Sequence, residues 1–512
     1  MLLSDLIKNI RQYTDIGVQN EGADLVVTVV TNDSRQVIAG SLFIAKAGSR
    51  VDGINFVQEA IKAGAVAVML PSNRLPVLEQ ILPDIRVPLL LVGDIEKALL
   101  LTAQFFYPRQ PATLVGVTGT NGKTSTVQFC RQFWHLLGVN AACLGTLGLT
   151  LGKAQQLPAS APAIAPLTTM DSLSLHAILD YLACNQVNNL ALEASSHGLH
   201  QGRLDGVQLD VAVFTNLSRD HLDYHANMQE YWQAKKLLFT TRLKKNGVMV
   251  VNADTPQAAE LGLLAKEQGH RFIDYGVAAK AIQLQEIVAD EQGQWLSFTI
   301  EGKNHRVYMP VVGRFQASNV MAAMGVMWAC GYDVEAILAQ IHQLQGVEGR
   351  MELAGKLANG AVVYVDYAHT PDALETVLQA LRPHVGNHLH VVFGCGGDRD
   401  PGKRPLMGEI AQKLADRVII TDDNPRSENP AYIRAQIMAS CPSALEIGDR
   451  AEAIHVAVSR LQKGDILLLA GKGHEQGQII NGHTRPFDDR EQAVKAIMGC
   501  ENRNASINLG TI

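Results

Sequence analysis

The sequence predicts an α/β protein of three domains whose sheets carry polar residues at the ends of their strands. Three observations lead to this prediction. A chain of 512 residues with 47% hydrophobic residues is long and apolar enough for several domain cores. At residues 113–125, a strand, a glycine loop and a helix start follow one another directly. After residue 346, short apolar runs repeatedly lead into polar loops, which is typical of a doubly wound sheet.

Residues 1–110 are predicted to form a smaller N-terminal α/β domain. The predicted strands, separated by helical stretches, are Leu25–Thr31, Gly40–Ala45, Ala65–Leu70 and Pro88–Val92. The segment Tyr107–Pro111 has two prolines and no periodicity, which indicates a linker. Ser34 and Arg35 follow the first predicted strand, and these two residues fit a turn as well as ligand contacts.

The central domain, residues 111–345, opens with the stretch around which the chain is organised, Thr113 to Ser125. An apolar strand ends at Gly119 and Gly122, and an amphipathic helix follows. Backbone N–H groups, the helix dipole, a lysine and a threonine at a helix start suit polyphosphate and Mg²⁺. Val117 stands where the usual pattern has its first glycine. The predicted nucleoside-triphosphate site consists of Gly119, Thr120, Asn121, Gly122, Lys123, Thr124 and Ser125.

Two further strands of the central domain end in polar residues. Asn189–Glu193 delivers Glu193 at its carboxyl end, where open α/β sheets bind ligands. The strand Asp210–Thr215 leads into a loop dense in histidine and aspartate, residues 216–225, which is a candidate metal or phosphate site. An apolar stretch, Val320 to Gly331, is too short to span a bilayer and predicts a core helix.

Residues 346–512 are predicted to form a C-terminal Rossmann-like domain. Its predicted strands are Val362–Val365, His390–Phe393, Val418–Thr421 and Ile466–Ala470. Each of them leads into a polar loop, so the functional edge is expected to consist of successive loops. The domain has no GxGxxG motif before a helix, so its sequence does not indicate dinucleotide binding.

Net charge, cysteine spacing and the first residues of the chain argue against several classes of protein. The net charge of −6 argues against nucleic-acid binding as the main activity. The seven cysteines are scattered and not spaced as in zinc sites, which indicates reduced thiols. Residues 1–11 lack the pattern of a signal peptide. These features predict a cytoplasmic protein without membrane insertion.

Together these motifs resemble the Mur ligases, which extend the peptide of the bacterial cell-wall precursor. The resemblance extends from Ser34 to Glu475 and rests on five motifs: residues 118–124, 193–197, 216–225, 349–352 and 365–371. Within the family it is closest to the members that add the third residue, meso-diaminopimelate, a preference associated with Asp423-Asn-Pro-Arg426. The chain departs from the family pattern at Ser49–Val51, at Leu167 and in the segment Lys153–Pro166.

The resemblance implies an ATP-dependent carboxylate–amine ligase of peptidoglycan synthesis. An N-terminal domain would bind the UDP-sugar, a central P-loop-type ATPase domain with a parallel sheet would bind ATP, and the C-terminal domain would bind the amino acid. The reaction implied is the addition of meso-diaminopimelate to the D-Glu γ-carboxylate of UDP-N-acetylmuramoyl-L-Ala-D-Glu through an acyl phosphate. ADP and phosphate are its other products, and the implied protein is a monomer.

The resemblance also implies roles for individual residues. Catalysis and Mg²⁺ binding involve Lys123, Thr124, Glu193, His221 and Lys235, the last as N6-carboxylysine, because a free ammonium cannot ligate a cation. The remaining implied ATP contacts are Asn319, Arg350 and Asp366. The implied UDP-dipeptide contacts are Ser34, Thr168, Thr169, Ser195, Gln201 and Arg203. The implied diaminopimelate contacts are Arg399, Asp423, Asn424, Pro425, Arg426, Gly471 and Glu475.

Other functions remain open from the sequence. The lysine-adding version of the same ligase and a folylpolyglutamate-type ligase share the ATPase core. About a hundred residues before the phosphate loop favour a nucleotide-sugar substrate over the folate type. A nucleic-acid-dependent ATPase is disfavoured by the net charge and by Val117. A non-enzymatic nucleotide-binding scaffold would not explain why Glu193, His221 and Lys235 occur together in this chain.

Overall fold

The computed structural model describes residues 1–20, 24–48, 51–152, 167–222, 224–290 and 293–509, with side chains up to Glu501. Residues 49–50 and the segment 153–166, at which the chain departs from the family pattern, lie outside the described residues, as does Asp223. The described residues form three larger sheets and one hairpin. Each larger sheet alternates with helices along the chain, which confirms the predicted three-domain α/β class.

The N-terminal sheet has five strands in the order β1-β5-β4-β3-β2, with β1 antiparallel to β5 and the other pairs parallel. Its strands are β1 (Ile16–Gln19), β2 (Val29–Thr31), β3 (Ser41–Ile44), β4 (Ala65–Pro71) and β5 (Leu89–Val92). Its helices are α1 (Leu3–Arg11), α2 (Val57–Ala63), α3 (Leu75–Ile81) and α4 (Ile95–Phe106). Two separate apolar clusters form the core of this region, one of which includes residues of α1 and α4.

The predicted strand Leu25–Thr31 is wrong in its first half. Val27 N donates to Met1 O at 2.9 Å, and Leu3 N donates to Leu25 O at 2.8 Å. Residues 25–27 therefore pair with the beginning of the chain, and only β2 joins the sheet. The β-branched pattern cannot distinguish these two partners, because both satisfy the same backbone groups.

The central sheet has ten strands in the order β15-β14-β13-β12-β11-β10-β6-β9-β7-β8. Its strands are β6 (Thr113–Thr118), β7 (Ala141–Gly145), β8 (Gly148–Leu151), β9 (Asn189–Glu193), β10 (Leu209–Phe214), β11 (Leu243–Asn252), β12 (Arg271–Gly276), β13 (Ile282–Ala289), β14 (Gln294–Ile300) and β15 (Lys303–Met309). The pairs β7–β9, β11–β12 and β12–β13 are parallel, and β7–β8 is antiparallel. Strands β14 and β15 continue the sheet from β13 as an antiparallel extension that the sequence patterns did not predict.

The helices of this region connect the strands. They are α5 (Lys123–Leu136), α6 (Ser172–Cys184), α7 (Ser196–His200), α8 (Met228–Thr240), α9 (Ala258–Gln268), α10 (Arg314–Ala329) and α11 (Val334–Leu338). Helix α10 contains most of the apolar stretch Val320–Gly331, and its residues from Asn319 to Met327 are all buried, as predicted for a core helix. Among the described residues, no helix combines the length and the apolar character needed to cross a bilayer.

The C-terminal sheet has six strands in the order β16-β17-β21-β18-β19-β20. Its strands are β16 (Glu352–Lys356), β17 (Val362–Asp366), β18 (Leu389–Phe393), β19 (Arg417–Ile420), β20 (Leu445–Glu446) and β21 (Ile466–Ala470), followed by the hairpin β22 (Gly477–Ile480) and β23 (His483–Pro486). Its helices are α12 (Pro371–Leu381), α13 (Lys403–Leu414), α14 (Pro430–Met438), α15 (Arg450–Ser459) and α16 (Asp489–Leu509). All strand pairs except β16–β17 are parallel, and separate apolar clusters form the core of this domain.

By packing, the chain divides into two compact units. The first unit comprises residues 1–116, 140–210 and 223–244, and the second comprises residues 117–139, 211–222 and 245–512. The site is described below within each unit. The predicted domain boundaries at residues 110/111 and 345/346 stay a prediction.

Candidate functional site

The predicted phosphate loop connects β6 to α5, and its backbone takes conformations that favour glycine. Gly119 has a φ of +150° and Gly122 a φ of +88°, and Lys123 is the first residue of α5. A Cβ at Gly119 would collide with Thr215 Oγ1, and one at Gly122 would collide with Asn319 Oδ1. Both glycines are therefore required by close packing as well as by φ.

The residues after β10 hold this loop in place. Thr120 N donates to Asn216 O and Asn121 N donates to Asn216 Oδ1, both at 2.9 Å. Thr215 Oγ1 donates to Asn121 O at 2.6 Å, and Ser218 N donates to Thr120 Oγ1 at 3.0 Å. The residues that follow β10 therefore determine the shape of the phosphate loop.

The lysine of this loop is held over its own backbone. Lys123 Nζ donates to Gly119 O at 2.9 Å and to Thr120 O at 2.8 Å. The ammonium therefore lies against the loop that is predicted to bind phosphate. Thr124 and Ser125 follow on the first turn of α5 and are buried. The start of a helix with a lysine at this position is suited to an anion.

Asn319 and Arg350 are linked to each other through one glutamine. Asn319 Nδ2 donates to Gln316 Oε1 at 2.9 Å, and Gln316 Nε2 donates to Arg350 O at 3.2 Å. The Arg350 guanidinium lies 4.4 Å from the ring centre of Tyr367, a cation–π contact. Two of the predicted nucleotide contacts are thereby connected.

Asp366, at the end of β17, is a buried carboxyl that organises backbone. Its Oδ2 accepts from Met351 N at 2.7 Å, and its Oδ1 accepts from Ala368 N at 2.8 Å. Burial raises the pKa of Asp366, while Arg350 and these two N–H groups oppose that rise. Met351 has a φ of +51°, so the bond from its N–H fixes an unusual turn beside Arg350.

In the first unit, Glu193 ends β9 as predicted, and its carboxylate is buried. Thr146 N donates to Oε1 at 2.8 Å, and Thr146 Oγ1 donates to Oε2 at 3.2 Å. A Cβ at Gly145 would collide with Glu193 Oε1. Thr146 supplies neutral donors, which do not cancel a buried negative charge, so the carboxylate oxygens suit a bound cation.

Several predicted contacts of the dipeptide substrate lie next to Glu193. Thr169 Oγ1 donates to Glu193 O and accepts from Ser195 N, both at 2.9 Å. Arg203 donates to Thr169 O at 2.7 Å and, through Nη2 and Nε, to Gln201 Oε1 at 2.7 and 3.0 Å. The structure brings these predicted residues together, and Thr168 joins them through a 3.2 Å contact with Thr146 Oγ1.

Lys235 lies on α8 and is almost fully buried, with 1% of its surface exposed. Its Nζ is 4.4 Å from the ring centre of Tyr231, and Tyr231 contacts the ring of His225 at 5.3 Å. The pKa of His225 is lowered, first by burial and then by His197, His200 and Lys235.

His221, in the second unit, has a φ of +54°, and its backbone N–H donates to Asp220 Oδ1 at 2.8 Å. Among the residues that the structure describes, no three His, Cys, Asp or Glu side chains are placed to hold a metal ion.

The predicted amino-acid site is formed by the loops after β18, β19 and β21. Asp423 and Asn424 are buried, and Arg426 Nη1 donates to Gly397 O at 2.7 Å. Glu475 Oε2 accepts from Asn424 Nδ2 at 2.9 Å. Gly471 has a φ of +113°, and a Cβ there would lie 2.9 Å from Asp423 Oδ2.

The hairpin after this site fixes the Asp423–Arg426 loop. Gln478 Nε2 donates to Asp423 O at 2.7 Å, and Ile479 N donates to Asn424 Oδ1 at 2.9 Å. Arg426 N donates to Ile479 O at 3.0 Å, so the loop pairs with β22 like an additional strand.

Arg399 and Ser34 have different surroundings from the residues of these networks. Arg399 is exposed. Ser34 lies in a local turn: it begins a 3-10 helix capped by Asp33, and Arg35 pairs with Asp33 at 2.7 Å.

The sequence analysis did not identify Thr146, Gln478 and Lys472, which form hydrogen bonds with predicted site residues. Lys472 had a visible signal, since it stands between two glycines directly after a strand.

Comparisons with known proteins cover most of the chain and agree with one another. Three family models match: the Mur ligase family catalytic domain at residues 26–107, the Mur ligase middle domain at 117–327, and the Mur ligase glutamate ligase domain at 349–473. The UDP-N-acetylmuramoyl-L-alanyl-D-glutamate–2,6-diaminopimelate ligase of Bradyrhizobium diazoefficiens is 45% identical over 97% of this chain and 99% of its own length.

Solved structures show the same architecture. The structure of a UDP-N-acetylmuramoyl-L-alanyl-D-glutamate–2,6-diaminopimelate ligase is 34% identical, with a TM-score of 0.62, covering 92% of this chain and 95% of that one. The MurF ligase of Thermotoga maritima has a TM-score of 0.64 at 20% identity over 93% of this chain and 98% of its own, a likeness of fold.

Proposed function

This chain belongs to the Mur ligase family, and from that premise we propose that it adds meso-diaminopimelate to UDP-N-acetylmuramoyl-L-Ala-D-Glu. The reaction joins an amino group to the D-Glu γ-carboxylate, converts ATP to ADP and phosphate, and serves peptidoglycan synthesis. The observation that carries the proposal is 45% identity, over 97% of the chain, to a relative named for this reaction. The buried Asp423-Asn-Pro-Arg426 loop adds a site suited to the amino acid.

The carboxylate of D-Glu is unreactive toward an amine at neutral pH and needs a better leaving group. It attacks the γ-phosphate of ATP and becomes an acyl phosphate, and the amine then displaces phosphate through a tetrahedral intermediate. The protein contributes positioning and charge neutralisation. In this proposal Lys123 leaves the loop carbonyls to contact the β- and γ-phosphates, while Asn319, Arg350 and Asp366 hold the nucleoside.

Mg²⁺ prefers oxygen ligands, which the Thr124 hydroxyl and the Glu193 carboxylate can supply. We assign Thr124 and Glu193 to one ion, and His221 and a carbamylated Lys235 to a second. When bound, Mg²⁺ neutralises phosphate charge. Carbamylation by CO₂ turns the buried Lys235 ammonium into an anionic oxygen ligand, which Mg²⁺ prefers.

The UDP-dipeptide is proposed to bind beside Glu193. Thr168, Thr169, Ser195, Gln201 and Arg203 form one hydrogen-bonded group there. An acidic group of the substrate would replace Gln201 Oε1 as the partner of the planar Arg203 fork. Ser34 is assigned to the nucleotide-sugar end. The enzyme is proposed to act as a monomer in the cytoplasm, where ATP and UDP-linked precursors are available.

Diaminopimelate is proposed to bind at the C-terminal loops. Arg426 and Arg399 would pair with its far carboxylate, to which the Asn424 amide would add an N–H donor. Asp423 and Glu475 would recognise the ammonium beside it. A lysine side chain ends in a bare ammonium and would leave the arginines unpaired, which penalises its binding.

Phosphate release from ATP in the presence of Mg²⁺ and UDP-N-acetylmuramoyl-L-Ala-D-Glu tests this function. We expect release with meso-diaminopimelate and little release with L-lysine. Release only with L-lysine would keep the ligase and reject the assigned specificity. The absence of release with either amino acid would reject the substrate pair, and folate-type substrates would be tested next.

A further inference from the structure

Lys472 is a completely buried lysine in the amino-acid site, with 0% of its surface exposed. It lies two residues after the end of β21, and none of the roles assigned above uses it. Its Nζ donates to Asn424 Oδ1 at 3.2 Å and to Glu475 Oε2 at 3.1 Å. Burying an ammonium is costly unless it is paired and hydrogen-bonded, so these two partners account for its position.

The lysine determines which way the Asn424 amide points. Asn424 Oδ1 accepts from Lys472 Nζ and from Ile479 N, and both of these groups can only donate. The amide nitrogen must therefore face the other way, toward Glu475 Oε2 at 2.9 Å. A flipped amide would place its NH₂ against two donors.

The same arrangement orients the Glu475 carboxylate. Oε2 accepts from both Asn424 Nδ2 and Lys472 Nζ, at 2.9 and 3.1 Å. Among the residues that the structure describes, no hydrogen bond is made by Glu475 Oε1 or by the second N–H of Asn424 Nδ2. Because Asn424 Nδ2 and Glu475 Oε2 are 2.9 Å apart, this remaining donor and acceptor belong to neighbouring groups.

A donor beside a carboxylate oxygen is complementary to a group that carries both an ammonium and a carboxylate. We propose that Lys472 is a positioning residue for specificity, which holds Asn424 and Glu475 in the arrangement that recognises an amino acid with a zwitterionic far end. The inference rests on the proposed function and adds a residue to it. Lys472 acts through its two partners and does not touch the substrate.

The test compares Lys472→Met with the wild type. Methionine keeps most of the length and removes the charge and all three donors. We expect the KM for meso-diaminopimelate to rise about tenfold or more, since a buried acceptor and a carboxylate lose a charged partner. The ratio of kcat/KM for meso-diaminopimelate to that for L-lysine is expected to fall, while the KM values for ATP and the UDP-dipeptide stay within about twofold.

Two further variants separate positioning from general stability. Lys463→Met removes an exposed lysine near the start of β21 and is expected to leave all constants unchanged. Lys472→Gln keeps a neutral N–H donor and is expected to give a KM for meso-diaminopimelate between those of wild type and Lys472→Met. If Lys472→Met does not fold, the kinetic constants of Lys472→Gln are compared with those of the wild type instead.

The proposal is overturned if a folded Lys472 variant keeps the wild-type KM for meso-diaminopimelate. It is also overturned if the KM values for all three substrates rise together while discrimination against L-lysine is unchanged, because that is the signature of a structural role. Wild-type protein that releases no phosphate with meso-diaminopimelate would instead reject the proposed function itself.

Discussion

The buried ion pair between Arg450 and Asp489 provides the sharpest test of the structural reasoning. Both side chains are fully buried, and two parallel bonds of 2.7 and 2.6 Å join the guanidinium to the carboxylate. Arg450 Nη2 also donates to Ala470 O at 2.9 Å, at the end of β21. The pair therefore supports the strand end from which Gly471 and Glu475 follow.

We expect Asp489→Asn to destabilise the C-terminal domain by about 3–5 kcal/mol, the cost of leaving one charge buried without its partner. The asparagine NH₂ would face a guanidinium N–H, so only one of the two bonds can persist. For a domain of about 150–250 residues, each kcal/mol lowers Tm by about 2–4 °C, which gives a total shift of roughly 6–20 °C.

Differential scanning calorimetry measures this shift, because it can resolve the transitions of separate domains. Glu491→Gln is the matched control: it makes the same carboxylate-to-amide change on the same helix, in an exposed pair with Lys495 at 3.4 Å. We expect the control to cost less than about 1 kcal/mol. A Tm shift for Asp489→Asn no larger than that of the control would refute the assignment of a strongly coupled buried pair.

The remaining predictions concern the active site. Gly145→Ala is expected to displace the Glu193 carboxylate and to lower kcat for phosphate release by about a hundredfold, with the thermal unfolding profile as a check on folding. Lys235→Ala is expected to lose most activity and to recover part of it with added short-chain carboxylic acids; full activity without them would exclude a carbamate. Arg426→Lys should raise the KM for meso-diaminopimelate far more than that for ATP, because a point charge cannot replace a planar fork; equal rises would contradict the assigned position. Burial, and to a smaller extent the guanidinium of Arg350, lowers the pKa of His474 from 6.5 to about 4. The unfolded chain therefore binds a proton that the folded protein excludes, and folding stability should fall by at most about 3 kcal/mol as pH drops from 6.5 to about 4; urea titrations should show this slope lost in His474→Gln.

Much of the fold follows from local sequence patterns. The strands Asn189–Glu193 and Ile466–Ala470 have the predicted bounds, and α5 begins at Lys123 directly after the glycine loop. These elements are buried parallel strands or amphipathic helices, whose apolar runs have one stable solution. The antiparallel strands Ile282–Ala289 and Lys303–Met309 were not predicted, because half-exposed strands mix polar and apolar residues.

The residue types in the loops are sufficient to indicate the chemistry of this protein. A strand, two glycines, Lys123 and Thr124 are adjacent in the chain, so covalent connection alone brings them to one helix start. The Asp423-Asn-Pro-Arg426 motif is likewise contiguous. The sequence by itself therefore indicates a nucleoside-triphosphate site, and the resemblance of its motifs to those of the Mur ligases indicates the kind of reaction.

The tertiary structure alone decided which side chains support those loops. Lys472 meets Asn424 across 48 positions of sequence, and Thr146 meets Glu193 across 47. Such contacts depend on strand order and on which strand ends meet at one edge of a sheet. In the sequence Lys472 looks like an ordinary charged loop residue, and only the fold buries it. The cost of that burial has to be offset by its hydrogen-bonded partners.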